Sequence, residues 1–536
     1  MTTPRTKARR VVETIEPPTA SVAPTDADPV DGQDAALVRW LGEQRWFATP
    51  DPATARGGGR GVVGLLGIPL DTEPPIALTA VETADGHRYQ LLLPSADTRP
   101  AKPSTRGARG LAGRPTADLG TDPAALGALA ELVAATRTIG SPSAAAGTGH
   151  WLAEATPLGA APARLLGAEQ SNTSAVVGGT HVLKVFRRLQ DGSHPEVEIG
   201  AHLADADAPV ARLSGWLELE EAVDPIEGPA SAGTATPRST ALAVVQELVP
   251  GALDGWELVL GGLAGDPDGL LHRLHDLGHA IAVLHGALAR PAASTTGPAD
   301  EPVDPEAPEA FGATPLGRSR ISALVTALAA DATRLLATSI DRPPELAPVV
   351  GRAEQVAVLA RRLAGQVRDD LGAAIRHHGD LHLGQTVVGA EGWVILDFEG
   401  EPARPLAERR LRHSPLRDVA GMLRSLAYAV STHQRAGGRR LSPGWEPAAR
   451  AALLDGYLAA IDPALVPASA VATRRLLTLF ELEKVVYEIG YEVAHRPDWV
   501  GLPVAGLRVL LDRDAADAAQ GASGPDGAAG RPGASA

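Results

Sequence analysis

The chain has 536 residues, long enough for two or more domains with separate cores. Its 49 Lys and Arg residues against 64 Asp and Glu give a net charge of −15, which argues against a nucleic-acid partner because phosphates would be repelled. The lack of Cys excludes disulfides and thiolate metal sites and agrees with a cytoplasmic protein. No apolar stretch approaches a membrane span and no secretory signal is indicated, so we expect no membrane partner.

The N-terminal part of the chain predicts a tail followed by antiparallel strands. Residues 1–34 are rich in Pro, Thr, Asp and Ala without periodic apolar positions, which is typical of a disordered tail. An amphipathic helix is expected to start near Asp34, and apolar runs with turn punctuation between residues 61 and 93 predict several strands. Pro, Gly, Ser and Thr dominate residues 98–119 and 224–240, which we interpret as flexible insertions.

The second half of the chain is predicted to be mostly helical. Helical periodicity dominates from residue 253 to about residue 511, and residues 512–536 predict another disordered tail. Strands followed by helices indicate the α+β class.

A lysine on a predicted strand is the first candidate site residue. The chain has only four lysines, and Lys184 lies in the short apolar run His181–Phe186. A lysine in this place could reach the α and β phosphates of a nucleotide, although a strand lysine often only extends to solvent. Just upstream, Ser171, Asn172 and Thr173 offer hydroxyl and amide groups that could donate to phosphate oxygens.

Two neighbouring segments could complete a nucleotide site. Glu198 follows Lys184 by 14 residues at the start of a helical run and could hold it by an ion pair, with Glu196 as the rival for that role. A later apolar strand leads to a Pro-Gly turn, and its backbone at Gln246 and Leu248 is expected to pair with adenine.

A second group of polar residues follows in the helical half. Asp380 precedes Gln385 by five residues, as the base precedes the metal-binding amide in kinase catalytic loops, and Asp397 ends a strand twelve residues after Gln385. Asp380 would accept the proton of an attacking hydroxyl, while Gln385 and Asp397 would bind Mg2+. His378 is expected to order the loop, and His382 either contacts an acceptor sugar or has a structural role.

Near the C-terminus, one predicted helix carries a polar and aromatic stripe. Lys484, Tyr487, Glu488 and Tyr491 fall at positions i, i+3, i+4 and i+7. Tyrosine offers an apolar face and a hydroxyl, which suits a sugar. The alternative is that the tyrosines pack under the catalytic loop and that Lys484 pairs with a glutamate.

These motifs together make the chain resemble the actinobacterial maltokinases, relatives of the aminoglycoside phosphotransferases in the eukaryotic-type protein kinase-like superfamily. The motifs run in family order from about residue 34 to residue 511. They are Gln44-Arg-Trp-Phe47, Glu169-Gln-Ser-Asn-Thr-Ser174, Leu183-Lys-Val-Phe-Arg-Arg188, Asp254-Gly-Trp256, His378-Gly-Asp-Leu-His-Leu-Gly-Gln385, Asp397-Phe-Glu-Gly-Glu-Pro402, the segment Ser414–Ser425, Lys484-Val-Val-Tyr-Glu488 and Arg496-Pro-Asp-Trp499.

The resemblance implies a bilobal kinase-like fold with an N-terminal cap domain. On this basis the cap would span residues 35–160, the N-lobe 161–252 and the mostly helical C-lobe 253–511. It also implies ATP and Mg2+ as cofactors, with Asp380 as base and contacts to the sugar from the stripe at Lys484, Tyr487 and Tyr491.

The activity that the resemblance implies is phosphorylation of maltose at its anomeric hydroxyl, giving maltose 1-phosphate for α-glucan or glycogen synthesis. Trehalose synthase would then be a possible protein partner. Glucosamine kinases are similar to maltokinases and share the catalytic motifs, so a kinase of glucosamine or of an aminoglycoside is the alternative. A non-catalytic partner or scaffold with the same fold is the second alternative.

Overall fold

The computed structural model describes most of the chain. The described residues are 40–41, 44, 46–47, 62–70, 76–83, 86–94, 118–141, 145–167, 172–221, 238–291, 310–337, 343–367, 369–402 and 404–522. The predicted tail over residues 1–34 lies outside them, as do most of the two predicted insertions and residues 523–536. Within the described residues, no helix is both long and apolar enough to pass through a membrane.

Within the described residues, the first half contains antiparallel strands and two helices of nine or more residues. The strands are β1 (Val62–Leu70), β2 (Ile76–Thr83), β3 (Arg88–Pro94), β4 (Thr138–Ser141), β5 (Ala145–Trp151), β6 (Ala161–Leu165), β7 (Asn172–Gly178), β8 (His181–Phe186), β9 (Arg188–Leu189), β10 (Leu213–Glu221) and β11 (Arg238–Glu247), and the helices are α1 (Pro123–Ala134) and α2 (Pro195–Leu203). The strands predicted between residues 61 and 93 are therefore present as β1 to β3.

The strands form two sheets. The smaller sheet has the order β1-β2-β3-β9, and the larger has the order β4-β5-β10-β11-β8-β7-β6. Because β5 pairs with β10, the larger sheet joins strands from both sides of the boundary predicted at residue 160. The ladder hydrogen bonds thus continue from the predicted cap into the predicted N-lobe, and α1 packs its buried Leu126 and Val133 in the same core.

Helices dominate the second half, as predicted. They are α3 (Gly255–Gly265), α4 (Pro267–Leu288), α5 (Arg318–Leu336), α6 (Ala353–Val367), α7 (Leu406–Arg409), α8 (Leu416–Arg435), α9 (Trp445–Ala460), α10 (Ala470–His495) and α11 (Gly501–Ala522). Short strands lie between them: β12 (Leu253–Asp254), β13 (Thr314–Pro315), β14 (Ala373–Ala374), β15 (Thr386–Gly389) and β16 (Gly392–Ile395).

Local sequence explains where several of these helices begin and end. The Asp254 carboxylate accepts a hydrogen bond from the Glu257 amide at the start of α3, and Asp266 does the same for Gly269 at the start of α4. The end of α11 corrects one prediction, since this helix continues to Ala522 although a disordered tail was predicted from residue 512. That segment lacks large apolar residues but is rich in Ala, the strongest helix former.

The two halves meet at the β15–β16 hairpin. The Ile395 amide donates to the Pro209 carbonyl at 2.7 Å, which ties β16 to the loop before β10. The residues that follow β16 therefore lie against the larger sheet. This contact positions the candidate site between the two halves.

A glycine at the contact between α4 and α9 gives a prediction for stability. A Cβ on Gly278 would lie 2.0 Å from the Leu453 carbonyl oxygen, whereas a Cβ on Gly286 in the same helix would have no atom within 4 Å. We expect Gly278→Ala to lower the free energy of unfolding by about 2–3 kcal/mol through overpacking. The matched Gly286→Ala should be neutral or stabilising by up to about 1 kcal/mol. Equal midpoints of urea unfolding for the two variants would contradict this packing.

Candidate active site

The buried Lys184 lies among three carboxylates, of which one is buried and two are partly exposed. Its Nζ is 3.1 Å from Glu196 Oε2, 2.7 Å from Asp397 Oδ1 and 2.6 Å from Glu399 Oε1. Strand β8 carries the lysine, helix α2 carries Glu196, and the two other carboxylates follow β16. The site therefore joins two neighbouring segments of the first half to one that follows more than 200 residues later, since Lys184 and Asp397 are 213 positions apart.

The charges of this group depend on one another. Burial would lower the pKa of Lys184, but Asp397, Glu196 and Glu399 together hold it well above its ordinary value. Burial would raise the pKa of Asp397, yet the adjacent Lys184 ammonium keeps it below its usual range. For Glu196, burial dominates and raises the pKa. Lys184 is therefore a permanent cation facing the Asp397 carboxylate.

The partner of Lys184 is Glu196 and not Glu198, which corrects the prediction from the sequence. The Glu198 carboxylate instead binds Arg376 at 2.9 Å and Arg410 at 2.6 Å. Residues two apart on a helix project in nearly opposite directions, so only one of these glutamates can face Lys184. The sequence offered both, and it gave no reason to choose the earlier one.

This difference predicts opposite results for two conservative variants. Glu196 accepts one hydrogen bond from Lys184 and one from Gln246 on separate oxygens, whereas glutamine has a single acceptor oxygen, so Glu196→Gln loses one of these contacts and we expect the ATP KM to rise about tenfold. Glu198→Gln should leave the ATP KM unchanged but lower the free energy of unfolding by about 3 kcal/mol, because it disturbs the buried Arg376. Steady-state kinetics and urea unfolding separate the two effects. A raised ATP KM in Glu198→Gln alone would restore the original prediction.

Only some of the polar side chains of β7, the strand before the one that carries Lys184, point toward the site. Asn172 Nδ2 donates to Glu399 Oε1 at 2.5 Å. Thr173 faces away, and its hydroxyl accepts from Arg187 Nε at 2.9 Å, so its predicted role in phosphate binding is wrong in this structure. The cause is the alternation of side chains along a strand. Ser171 lies outside the described residues.

The end of β11, where the sequence predicts contacts with adenine, makes contacts within the protein instead. Gln246 Nε2 donates to Glu196 Oε1 at 3.1 Å, and the Leu248 amide donates to the Thr180 carbonyl at 2.9 Å. The Gln246 side chain thus orients Glu196, a role that the sequence did not reveal. The Leu248 amide is already used within the protein, which speaks against it as the adenine donor. A nucleotide-base contact along this strand stays a prediction.

Asp418, on α8, holds the loop that carries Asp380. Its carboxylate accepts from the backbone amides of His378 at 2.8 Å and Gly379 at 2.9 Å, and it lies 3.2 Å from His285 Nε2. Burial would raise the pKa of Asp418, but the nearby histidines and these bonds keep it below its usual range. Asp418 therefore acts as a buried anchor for the loop.

His378 has the ordering role that the sequence predicts. Its Nε2 lies 2.8 Å from the Leu396 carbonyl oxygen, directly before Asp397. Its Nδ1 accepts a bond of 3.3 Å from the Asp380 amide. This one ring thus connects the loop of the candidate base to the segment of the candidate metal ligand.

Asp397 has an unusual backbone conformation with φ of 64°. This left-handed region costs energy for most residues, but Asp and Asn adopt it more readily than others. The adjacent Leu396 amide donates to the Gln385 carbonyl at 2.9 Å, so the backbones at the two predicted metal ligands are neighbours. The strain is consistent with a functional position.

Carboxylate oxygens in this region fit a divalent cation. Oxygens of Glu196, Asp397 and Glu399 lie within 4.8 Å of one another. Mg2+ prefers such oxygen ligands and takes few of them from a protein. Asp397 and Glu399 are the better candidates, because burial favours the neutral form of Glu196. The sequence analysis does not predict Glu399 as a metal ligand, although acidic residues alternate with other residues in Asp397-Phe-Glu-Gly-Glu401.

A cleft of about 400 Å³ opens beside Asp380. It contains the predicted residues Asp380, His382, Lys484, Tyr487 and Tyr491, and it is further lined by Trp256, Gly384, Pro402, Gly421, Ser425, Tyr428, Glu488, Glu492 and Arg496. The structure therefore brings the loop and the C-terminal stripe together. Most of the added residues come from α3, α8 and α10, whose approach cannot be read from spacing along the chain.

Lys484 binds the candidate base as well as a glutamate. Its Nζ is 2.9 Å from Asp380 Oδ1 and 2.7 Å from Glu401 Oε1, and it lies 4.9 Å from the centre of the Tyr487 ring. Burial would lower the pKa of Lys484, but these two carboxylates raise it well above its ordinary value. The pairing with a glutamate, one of the two alternatives from the sequence, is thus present.

The rest of the cleft is aromatic and charged. The rings of Tyr487 and Tyr491 stack with centroids 6.4 Å apart, and Arg496 lies 5.5 Å from the Tyr491 ring. His382 lines the same wall, where burial lowers its pKa and favours the neutral imidazole. Its Nδ1 accepts from the Gly384 amide at 3.1 Å, so it also shapes the loop.

Taken together, the sheet-rich first half, the helical second half and the charged site between them define a protein with a bilobal kinase-like fold. The predicted α+β fold class is confirmed by the solved structures that resemble it. A glucosamine kinase structure in one crystal form superposes with a TM-score of 0.56 at 25% identity, covering 87% of this chain and 97% of that one.

Two curated proteins to which the chain is similar are glucosamine kinases. The enzyme from Mycolicibacterium smegmatis is 27% identical over 359 residues, which cover 64% of this chain and 78% of that enzyme. The enzyme from Streptacidiphilus jiangxiensis is 28% identical over 358 residues, covering 64% and 72% respectively. A glucosamine kinase solved with glucosamine, ADP and inorganic phosphate has a TM-score of 0.56 at 24% identity and covers 88% of this chain and 99% of its own. No protein-family model matches the chain.

Proposed function

We propose that this protein is an ATP-dependent kinase that phosphorylates a hydroxyl group of an amino sugar, with glucosamine as the first acceptor to test. One observation carries the proposal: the candidate base Asp380 opens onto a sugar-sized cleft, while its loop is tied through His378 to the segment of Asp397 and Lys184. The similarity to glucosamine kinases supports the choice of acceptor.

The chemistry assigned to each residue follows from phosphoryl transfer. Lys184 neutralises phosphate charge, and Asp380 orients the attacking hydroxyl and accepts its proton. Mg2+, held by Asp397 with Glu399 or Gln385, would supply charge neutralisation at the phosphate oxygens when bound. Such a reaction requires alignment and electrostatics more than covalent catalysis, which agrees with the rigidly held loop.

The carboxylates of the cleft support an amino sugar as acceptor. Its lining includes the carboxylates of Asp380, Glu488 and Glu492 against the cations of Lys484 and Arg496. Each of these carboxylates already binds a cation, since Arg424 binds Glu488 and Arg496 binds Glu492, but a carboxylate has further lone pairs that can accept hydrogen bonds from the ammonium group of glucosamine. The tyrosine faces would pack against the C–H groups of the ring.

Maltose is the second candidate acceptor. The stacked Tyr487 and Tyr491 offer an extended aromatic surface, and the cleft of about 400 Å³ lies within the usual range for small-molecule sites. The sequence resemblance to maltokinases points in the same direction. Synthesis of maltose 1-phosphate for α-glucan and a partnership with trehalose synthase would follow only if maltose is the acceptor.

An acceptor panel distinguishes these candidates. ADP release by the purified protein is measured with ATP and Mg2+ on glucosamine, glucose, N-acetylglucosamine, maltose and an aminoglycoside. Glucosamine and glucose form a matched pair that differs only in the amino group. We expect kcat/KM for glucosamine to exceed that for glucose by at least about tenfold, as loss of one charged hydrogen bond would give. Preference for maltose would replace the first acceptor, and no turnover on any acceptor would contradict the proposed function.

A further inference from the structure

The sequence contains four lysines, and the two within the described residues both lie in the candidate site. Lys184 faces the metal segment, whereas Lys484 lies beside the base. We propose that Lys484 is a catalytic residue that contacts the transferred phosphoryl group, and not primarily a contact for the sugar. This inference rests on the proposed kinase function and adds a second cation to it.

The position of Lys484 follows from a chain of ion pairs that fixes its ammonium group. Its partner Glu401 is only 4% exposed and also binds Arg404, and the Arg404 guanidinium reaches Glu483 at 3.1 Å. Glu483 in turn binds Arg417 at 2.5 Å, which directly precedes the loop anchor Asp418. Alternating charges therefore connect helices α8 and α10 to the segment after β16.

This network holds the ammonium group next to the reacting atoms. The attacking oxygen must lie within hydrogen-bond reach of Asp380, the carboxylate that Lys484 already contacts at 2.9 Å. A lysine ammonium has three N–H donors, and the contacts with Asp380 and Glu401 use two of them. The third can donate to an oxygen of the phosphoryl group when nucleotide and acceptor are bound.

The proposed step balances without any additional reactant. The O–H bond of the acceptor breaks and its proton passes to Asp380, while a bond forms between that oxygen and the γ-phosphorus of ATP. The bond from the γ-phosphorus to the β-phosphate oxygen breaks, and ADP leaves with the electron pair. Lys484 exchanges no proton in this step, and it stabilises negative charge on the transferring group, as preorganised donors do in other active sites.

A sugar contact and a phosphoryl contact affect different kinetic constants. Loss of a sugar contact raises the acceptor KM, whereas loss of an interaction formed in the transition state lowers kcat. The sequence analysis, which grouped Lys484 with Tyr487 and Tyr491 as sugar contacts, predicts a raised acceptor KM. The contact between Lys484 and Asp380 predicts a lowered kcat instead.

The test uses a variant that keeps the buried charges balanced. Lys484→Met alone would leave Glu401 without one of its cations, so the double variant Lys484→Met with Glu401→Gln removes one charge of each sign. Lys484→Arg keeps the cation as a conservative rescue. The control is Arg474→Met, which removes a cation from an exposed position ten residues earlier on the same helix.

We expect the double variant to unfold at nearly the same temperature as the wild type and to lose about 10²–10³-fold in kcat. The Kd for glucosamine in the presence of ADP, measured by calorimetry, should change less than threefold, and Lys484→Arg should recover part of kcat. An unchanged kcat would overturn the inference, and so would a weakened glucosamine Kd with kcat retained. Failure of the wild type on every acceptor would instead refute the proposed function itself.

Discussion

Replacing Asp380 by Asn is expected to lower kcat by about 10³–10⁴-fold, because the amide cannot accept the proton of the attacking hydroxyl. Binding of ADP with Mg2+ should persist, since Asp380 lines the cleft proposed for the acceptor and contacts Lys484 and not Lys184. Rapid-quench turnover and calorimetry with ADP measure the two quantities.

The control for this variant is Asp369→Asn, another removal of one carboxylate. Asp369 pairs with Arg318 at the surface and is far more exposed, with 84% of its side chain accessible. Exposed ion pairs contribute little, so activity and stability should stay near those of the wild type. If Asp380→Asn retained a kcat within fivefold of the wild type, Asp380 could not be the base.

Replacing Asp397 by Asn is expected to lower kcat by about 10³-fold and to weaken the dependence of ADP binding on Mg2+ by at least about tenfold. Asn keeps the shape of the side chain and tolerates the left-handed conformation with φ of 64°, so the fold should survive. The loss would then report on the negative charge that faces Lys184 and the metal.

Calorimetric titration of ADP at several Mg2+ concentrations separates this effect from a loss of structure. Asp266→Asn is the control, because Asp266 caps α4 and Asn caps a helix equally well. An Asp397→Asn variant whose ADP binding responds to Mg2+ as strongly as that of the wild type would remove Asp397 from the metal site.

The sequence placed in one region the candidate residues that short spacings connect, and their roles as base and metal ligands stay predictions. Asp380, Gln385 and Asp397 lie on one loop and one hairpin, so their offsets along the chain carry the geometry. The ordering role of His378 followed from the same local reasoning and is confirmed by its bond to Leu396.

Predictions failed where a shift of one or two residues points the side chain in the opposite direction. Glu196 and Glu198 differ by half a helical turn, and Asn172 and Thr173 lie on opposite faces of one strand. Motif spacing and residue type placed these residues in the right segments. The direction in which each side chain points depends on how helix α2 packs on the larger sheet. This packing is a tertiary interaction that a local sequence pattern does not contain.

Other features were beyond local patterns altogether. Contact of Lys484 with Asp380 joins residues 104 positions apart, and the continuation of the large sheet across residue 160 joins β5 to β10. The extension of α11 past residue 512 was missed because an Ala-rich segment resembles a disordered one in composition.

The most direct test of the account follows the phosphoryl group itself. The protein is incubated with Mg2+, glucosamine and ATP that carries ¹⁸O in the non-bridging oxygens of its γ-phosphate, and the products are analysed by mass spectrometry. The account predicts a phosphorylated glucosamine that contains the labelled phosphoryl group, together with unlabelled ADP, and it predicts loss of this product in Asp380→Asn. Labelled inorganic phosphate with unmodified glucosamine, or labelled product formed equally well by Asp380→Asn, would contradict it.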